Sequence, residues 1–497
     1  MPDKYTQLLG KIIEIGRLTA VDALIQWDQD TYMPQKGVNA RAEMCAQIAI
    51  TSHQLQTSDA LGELISNVEE TGEPARDTNI REAKRNYERA SRLPSELVEQ
   101  LSRASSLAKS AWAQARQEND FPAFAPHLDE LLKLARQKAD AIGFEGERYD
   151  ALMDEYEPGA KSADIGDLFK SLRGALVPLV QSIANSTNPI DDEIIRRHYP
   201  EAAQEELCKH LASAICFDFT AGRLDRSVHP FCTSMGPRDV RVTTRFDERF
   251  FSPAIFGVLH EVGHGLYEQG LDPAHQFTPM GTATSLGIHE SQSRLWENMV
   301  GRSLAFWKHH YATAQEYFPE ALGDVPLEAF YRAINKSAPS LIRVEADEVT
   351  YNLHIIMRFE LERELIAGRL DVKDVPAAWN QKAEEFLGLT PPNDADGCLQ
   401  DIHWSLGGFG YFPTYALGNL YAAQFYAKAD ADLGGLEAQI ARGECQPLRM
   451  WLQENIHSHG MRYRAAELCE QVTGQRLSID AFMDYLNRKY KSLYSLA

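Results

Sequence analysis

Two histidines four residues apart flank a glutamate in the segment His260-Glu261-Val262-Gly263-His264. On a helix, residues four apart stand one turn above each other, so both imidazoles can bind one divalent ion while Glu261 points sideways toward a water beside it. The chemistry this permits is hydrolysis. The ion lowers the pKa of water to about 7 and polarises a carbonyl, while Glu261 takes the water's proton as general base and delivers it to the leaving amine. Two imidazoles do not hold a catalytic ion alone, so a third ligand must come from elsewhere in the chain. A later histidine in the H-E-x-x-H-x-x-G-x-x-H pattern is excluded, because Tyr267 and Gly270 occupy those positions. A carboxylate is therefore expected. Glu290 and Glu297 both face away from the apolar stripe Ile288, Leu295 and Met299, and periodicity does not choose between them. Glu268, on the metal helix itself, points along its own axis and is a poorer third ligand.

The elements that must position these groups are mostly helical. Ser252-Pro253 reads as a helix start, a capping hydroxyl followed by a residue whose fixed φ suits the first turn. The helix is expected to run to about Gln269, with Gly270 as its stop. Ile255, Val258, Leu259, Val262 and Leu266 gather on one side at about 100° per residue, and the histidines project from nearly the opposite side. Similar apolar stripes run from Ser95, read as an N-cap, to Ala115, and over Leu128–Ile142, Leu168–Ile183, Ala202–Ala214, Leu327–Ile334 and Leu341–Ile366. The expected fold class is mainly α. The clearest strand signal is Val240–Phe246, just before the metal motif, where β-branched residues alternate with long polar ones. Breaks at Pro and Gly clusters are too short for flexible linkers. One body with lobes is expected, divided into an N-terminal helical lobe of about 1–160 and a catalytic core of about 161–497.

Bulk composition narrows the function classes. The chain has 497 residues, 44% hydrophobic and 24% charged, enough to bury a large core. A net charge of −21 disfavours nucleic acid and anionic membrane surfaces as partners. Seven dispersed cysteines without a C-x-x-C pair read as free thiols of a reducing compartment. No signal-like or membrane-spanning stretch is evident, so a cytoplasmic location is expected.

Beyond the histidine motif, the chain carries His229-Pro230-Phe231, Asp239-Val240-Arg241-Val242-Thr243, His289-Glu290-Ser291-Gln292, Arg343-Val344-Glu345-Ala346-Asp347 and Gly397-Cys398-Leu399-Gln400-Asp401-Ile402-His403-Trp404. Taken in order around one catalytic helix, these segments resemble the signatures of the carboxypeptidase Taq family of metallocarboxypeptidases. The resemblance implies a saddle- or butterfly-shaped helical enzyme with a deep groove and a small β-sheet beside the metal helix. It implies a zinc (or cobalt or other divalent) ion, a homodimer, and removal of amino acids one at a time from peptide C-termini. It also selects Glu290 over Glu297 as third ligand.

Each segment has a physical reading. Alternation along a strand places Asp239, Arg241 and Thr243 on one face, a polar ridge able to add an extended peptide as a further strand or to line the end of a groove. A terminal carboxylate is best read by a guanidinium fork. Arg343 is the first candidate, braced by Asp347 one turn later, and Arg241 the competitor. His403, Tyr411 and Tyr415, near the Gly-rich run 407–410, are candidates to donate to the oxyanion of a tetrahedral carbonyl. Cys232 and Cys398 read as small buried hydrophobes. The alternatives in other classes are an oligopeptidase cutting internal bonds, a hydrolase of non-peptide amides, and a helical scaffold whose histidine motif is accidental.

Overall fold

The computed structural model describes residues 3–496. They are predominantly helical, with one three-stranded sheet, and fall into two compact units, each assembled from separate stretches of chain. The first comprises residues up to Ser91, Asp191–Asn335 and Tyr421–Arg476; the second comprises Arg92–Ile190, Lys336–Leu420 and the C-terminal stretch from Leu477. The division expected near residue 160 falls inside the second unit, within the turn that precedes the Ser162–Ala184 helix.

In the first unit, the metal helix (Phe251–Gly270) is surrounded by the Glu201–Ala214 helix, the sheet and the carboxylate helix (Leu286–Arg294). Its apolar stripe is buried as the periodicity predicts, Ile255, Val258, Leu259, Val262 and Leu266 being at most 1% exposed. The start of this helix is pinned by rings. Phe251 lies 5.2–6.0 Å from the rings of Tyr199, Trp307, Phe318 and Phe330, an edge-to-face cluster that fixes where the helix begins.

That anchoring corrects the expected cap. The N-cap is Phe250, and Ser252 lies one residue inside the helix with its buried hydroxyl unpartnered. The stop is also different in kind. Gly270 is the last helical residue and Leu271 continues in extended backbone. A Cβ at Gly270 would stand 2.2 Å from Nδ1 of His457, so glycine is required there for close approach rather than for a left-handed cap.

The sheet has order β1-β3-β2, with β1 (Gly222–Arg226) parallel and β2 (Cys232–Ser234) antiparallel to β3 (Val240–Thr244). The strand legible in the sequence is thus the central one. Its backbone is paired on both sides, so it has no edge for an added peptide strand, and that expectation is withdrawn.

The second unit is built on the Ser95–Glu118, Phe121–Ile142, Ser162–Ala184 and Tyr351–Ala367 helices. The stripe expected over Leu341–Ile366 is not one helix. A short turn at Arg343–Glu345 precedes the helix proper at Tyr351. Asp347 accounts for the break, because its carboxylate accepts the N–H groups of Val349 and Thr350 and the hydroxyls of Ser337 and Thr350. Such local bonds compete with helical ones. Ser95, expected as an N-cap, is the first helical residue instead, following Pro94.

Candidate metal centre

The spacing of the two helices sets the site. At Gly263, inside the histidine motif, a Cβ would lie 2.6 Å from Cα of Ser293 and 2.7 Å from the carbonyl oxygen of Gln292. Only glycine allows the carboxylate helix this close, and the approach brings Glu290 against both imidazoles. Glu290 Oε2 is 3.7 Å from Nε2 of His260 and 3.3 Å from Nε2 of His264. Tetrahedral coordination with metal–ligand distances of about 2.0–2.1 Å places neighbouring donor atoms roughly 3.3 Å apart. The donor set fits one ion, and it is the one group among the described residues that brings three such atoms within 4.8 Å of one another.

The remaining ring nitrogens are committed elsewhere, which aims both Nε2 atoms at the same point. Nδ1 of His260 is 2.9 Å from Glu297 Oε2, and Nδ1 of His264 is 2.5 Å from Nδ1 of His289. Outer partners of this kind set the tautomer and orientation of a ligating histidine. Glu297 sits in a π-helical stretch, Leu295–Gly301, a departure from regular winding that recurs at functional sites. Arg294 binds both acids, donating from Nε to Glu290 at 2.7 Å and from Nη1 to Glu297 at 3.2 Å. Glu290 thus has Oε1 held by Arg294 and Oε2 presented to the imidazoles, whereas Glu297 meets both Arg294 and His260 through Oε2.

Electrostatics divide the roles further. Burial pushes Glu261 up to about 7, with Glu290 and Glu297 adding to the rise and His260 opposing it. A carboxyl poised there exchanges protons near neutrality. Burial and the neighbouring His289 hold His264 down to about 3, in the neutral form that binds metal. Burial also disfavours the charged form of Glu290, but Arg294 and His260 outweigh it and keep that carboxyl well below its ordinary range.

The ridge on β3 is locally self-contained. Asp239 accepts from Nε and Nη2 of Arg241 at 2.8 and 2.9 Å, and the Arg241 guanidinium lies 4.2 Å over the Trp27 ring. Thr243 is fully buried, its hydroxyl oxygen accepting from Ser227 Oγ at 2.6 Å and from the Phe231 N–H at 3.0 Å. It therefore clamps the loop that carries His229-Pro230-Phe231.

The second unit gathers the other candidates. Arg343 is 6% exposed and donates from Nε and Nη2 to Asp401 Oδ1, and from Nη1 to the Tyr351 hydroxyl. The i, i+4 spacing suggested that Asp347 braces it, but Asp347 is bonded to Ser337, Val349 and Thr350, and Asp401 takes that place while also accepting from Arg358 at 2.6 Å. His403 Nε2 is 3.2 Å from the Tyr415 hydroxyl. The Tyr411 ring centroid lies 5.4 Å from that of His403 and 5.3 Å from that of Tyr415. Burial holds His403 down to about 4, with Arg343 and Arg358 adding to the fall and Asp401 opposing it, so it is a neutral hydrogen-bonding ring at neutral pH.

The model of the carboxypeptidase Taq (M32) metallopeptidase family matches residues 7–490. Thermostable carboxypeptidase 1 of Thermus thermophilus is 47% identical, covering 99% of both chains, and carboxypeptidase 1 of Bacillus subtilis is 42% identical, covering 97% of each. The crystal structure of the M32 carboxypeptidase from Deinococcus radiodurans superposes with a TM-score of 0.96 at 40% identity, covering 99% of this chain and 100% of that one. A Pyrococcus furiosus carboxypeptidase superposes at 0.95 and 35% identity, covering 99% of each. The chain belongs to the M32 family. It is a metallocarboxypeptidase, and the mainly helical fold with one small sheet is that of its relatives.

Several residues of the clusters in each unit were not singled out by sequence reasoning. Glu297 was weighed only as a ligand, although its spacing from Glu290 already allowed a supporting place. Tyr351 and Arg358 had no signal of their own. Asp401 lay in plain view inside the Gly397–Trp404 segment, but its pairing with Arg343 across 58 residues is a tertiary fact.

Proposed function

We propose that this enzyme removes amino acids stepwise from the C-terminus of unfolded peptides, with His260, His264 and Glu290 holding zinc and Glu261 acting as general base. The observation that carries this reading is the tetrahedral spacing of the three donors with a buried carboxyl, Glu261, beside them. Two nitrogens and one carboxylate oxygen suit zinc, with cobalt or another divalent ion as the alternative. When bound, the ion supplies Lewis acidity toward the scissile carbonyl and the attacking water. Glu261 accepts that water's proton and passes it to the leaving amine. Arg343 reads the terminal carboxylate, favoured over Arg241 by its place beside the proposed oxyanion donors, its guanidinium lying 5.2 Å from the Tyr415 ring centroid. Asp347, Asp239 and Thr243 hold the surrounding loops and Arg241 in place. His403 donates to the oxyanion together with Tyr415 or Tyr411, of which Tyr415 already shares a hydrogen bond with the imidazole.

We also propose a homodimer in the cytoplasm. The seven cysteines are all free thiols, consistent with a reducing compartment, and no helix among the described residues is long and apolar enough to cross a membrane. The Val38–Gln56 helix buries no side chain and exposes Val38, Met44 and Ile50 around its circumference, apolar surface that a second copy would cover.

Mass analysis of a peptide digest over time tests the activity. A ladder shortening one residue at a time from the C-terminus, with most activity lost on the C-terminally amidated peptide, is the expected result. Internal fragments produced equally from both peptides would replace this reading with an oligopeptidase.

A further inference from the structure

The two imidazoles of the metal centre are backed in different ways. His260 meets a carboxylate directly, through Glu297. His264 instead meets a third imidazole, His289, whose far nitrogen Nε2 lies 2.9 Å from Glu268 Oε1. The 2.5 Å separation of the two Nδ1 atoms is shorter than the roughly 3.5 Å at which ring faces touch, so the rings meet edge to edge. Their planes lie within 29° of each other and their centroids are 4.6 Å apart, as a hydrogen bond lying near both ring planes requires.

From this geometry we infer that His289 and Glu268 form a two-residue relay that positions His264 for metal binding. The inference rests on the proposed role of His264 as ligand. With its Nε2 lone pair turned to the ion, the proton of His264 is on Nδ1 and must be donated. The only ring atom of His289 at that contact is Nδ1, which therefore accepts, and the His289 proton is on Nε2. Glu268 takes that proton's hydrogen bond and so selects the tautomer of His289 that can serve His264. Glu268 lies one turn beyond His264 on the metal helix, while His289 comes from the carboxylate helix, next to Glu290. The relay therefore ties the orientation of one ligand to the helix that supplies another. Tyr267, whose ring centroid is 5.2 Å from that of His289, walls the side of the relay.

The test measures zinc dissociation constants of the full-length protein by competition with a chromogenic chelator, alongside thermal melts of the metal-free forms. Partners of this kind typically contribute 10–100-fold to metal affinity. His289→Leu is expected to weaken zinc binding by about that factor, while His289→Gln, whose amide can accept from His264 and donate to Glu268, restores most of it. Glu268→Gln is expected to weaken binding by a smaller factor in the wild-type background and to have no effect in the His289→Leu background, because Glu268 acts only through His289. Equal losses from Glu268→Gln in both backgrounds, or no rescue by glutamine, would overturn the relay. Wild-type protein that binds no zinc would instead sink the metal assignment itself. A metal-free melt shifted as much by His289→Gln as by His289→Leu would assign the residue a purely structural place and also overturn the inference.

Discussion

A single methyl group at Gly263 should separate the metal ligands. In Gly263→Ala, the new Cβ would lie 2.6 Å from Cα of Ser293, 2.7 Å from the Gln292 oxygen and 3.0 Å from the Gln292 carbonyl carbon. All three are backbone atoms and cannot rotate aside. Comfortable carbon–carbon separations are about 3.5–4.0 Å, so the carboxylate helix must retreat by roughly 1 Å. Overpacking of this sort costs about 1–3 kcal/mol. Glu290 rides on the retreating helix, and roughly 1 Å is several times the ±0.2 Å within which metal–ligand distances normally fall. Zinc affinity is therefore expected to drop at least tenfold while the melting temperature falls by only a few degrees. The control is Gly257→Ala on the same helix, where the nearest atom to a new Cβ is Thr244 Oγ1 at 3.9 Å. That substitution should leave zinc binding unchanged and, by the helix preference of alanine, leave stability equal or higher. Chelator competition and thermal melts on both variants decide the matter. Zinc binding by Gly263→Ala within twofold of wild type would refute the claim that close helix approach sets the coordination geometry.

Three other perturbations separate the remaining roles. Glu261→Gln should keep its zinc, measured by metal content after gel filtration, yet lose peptide hydrolysis by several orders of magnitude; near-normal turnover would remove the general-base assignment. Arg343→Ala should raise KM far more for peptides with a free C-terminal carboxylate than for amidated ones, and equal effects on both would move carboxylate recognition elsewhere. In the second unit, burial pushes Glu362 from 4.5 up to about 7, although it accepts hydrogen bonds from Tyr149, Trp404 and the Gly410 N–H. The folded state therefore binds the extra proton, and stability is fully present below about pH 4.5 and declines as pH rises to about 7, by a total of order 3 kcal/mol. Glu362→Gln should flatten that part of the melting-temperature profile. Parallel pH profiles for variant and wild type would show that burial of this carboxyl carries no proton linkage.

The catalytic helix was legible because its information is local. Periodicity placed Ile255, Val258, Leu259, Val262 and Leu266 on one face and the histidines on the other, and the buried pattern follows it. The spacing of His260 and His264 announced an ion, and the elimination of a third histidine left a carboxylate. Alternation alone likewise marked a strand over Val240–Phe246, of which Val240–Thr244 is paired in the sheet. Which carboxylate closes the site was not readable from spacing, since Glu290 and Glu297 lie two turns apart and face the same way. The structure separates them by which imidazole nitrogen each meets, a distinction set by the contact at Gly263 and by the π-helical stretch.

Long-range pairing was invisible for a related reason. Spacing suggested that Asp347 braces Arg343, because in a helix residues four apart are neighbours. The chain there makes a single 3-10 turn rather than an α-helix, since Asp347 spends its oxygens on nearby backbone and hydroxyl donors, and Asp401 arrives from 58 residues away to hold the guanidinium. The amino-acid sequence by itself determined the helical class, the ion-binding motif and the acid within it, because a helix repeats over a few residues. Tertiary structure decided how each acid stands against the two imidazoles, which partner meets each remaining ring nitrogen, and which acid holds Arg343. Those outcomes depend on how closely two backbones approach, and that is set by packing between segments that no local period connects.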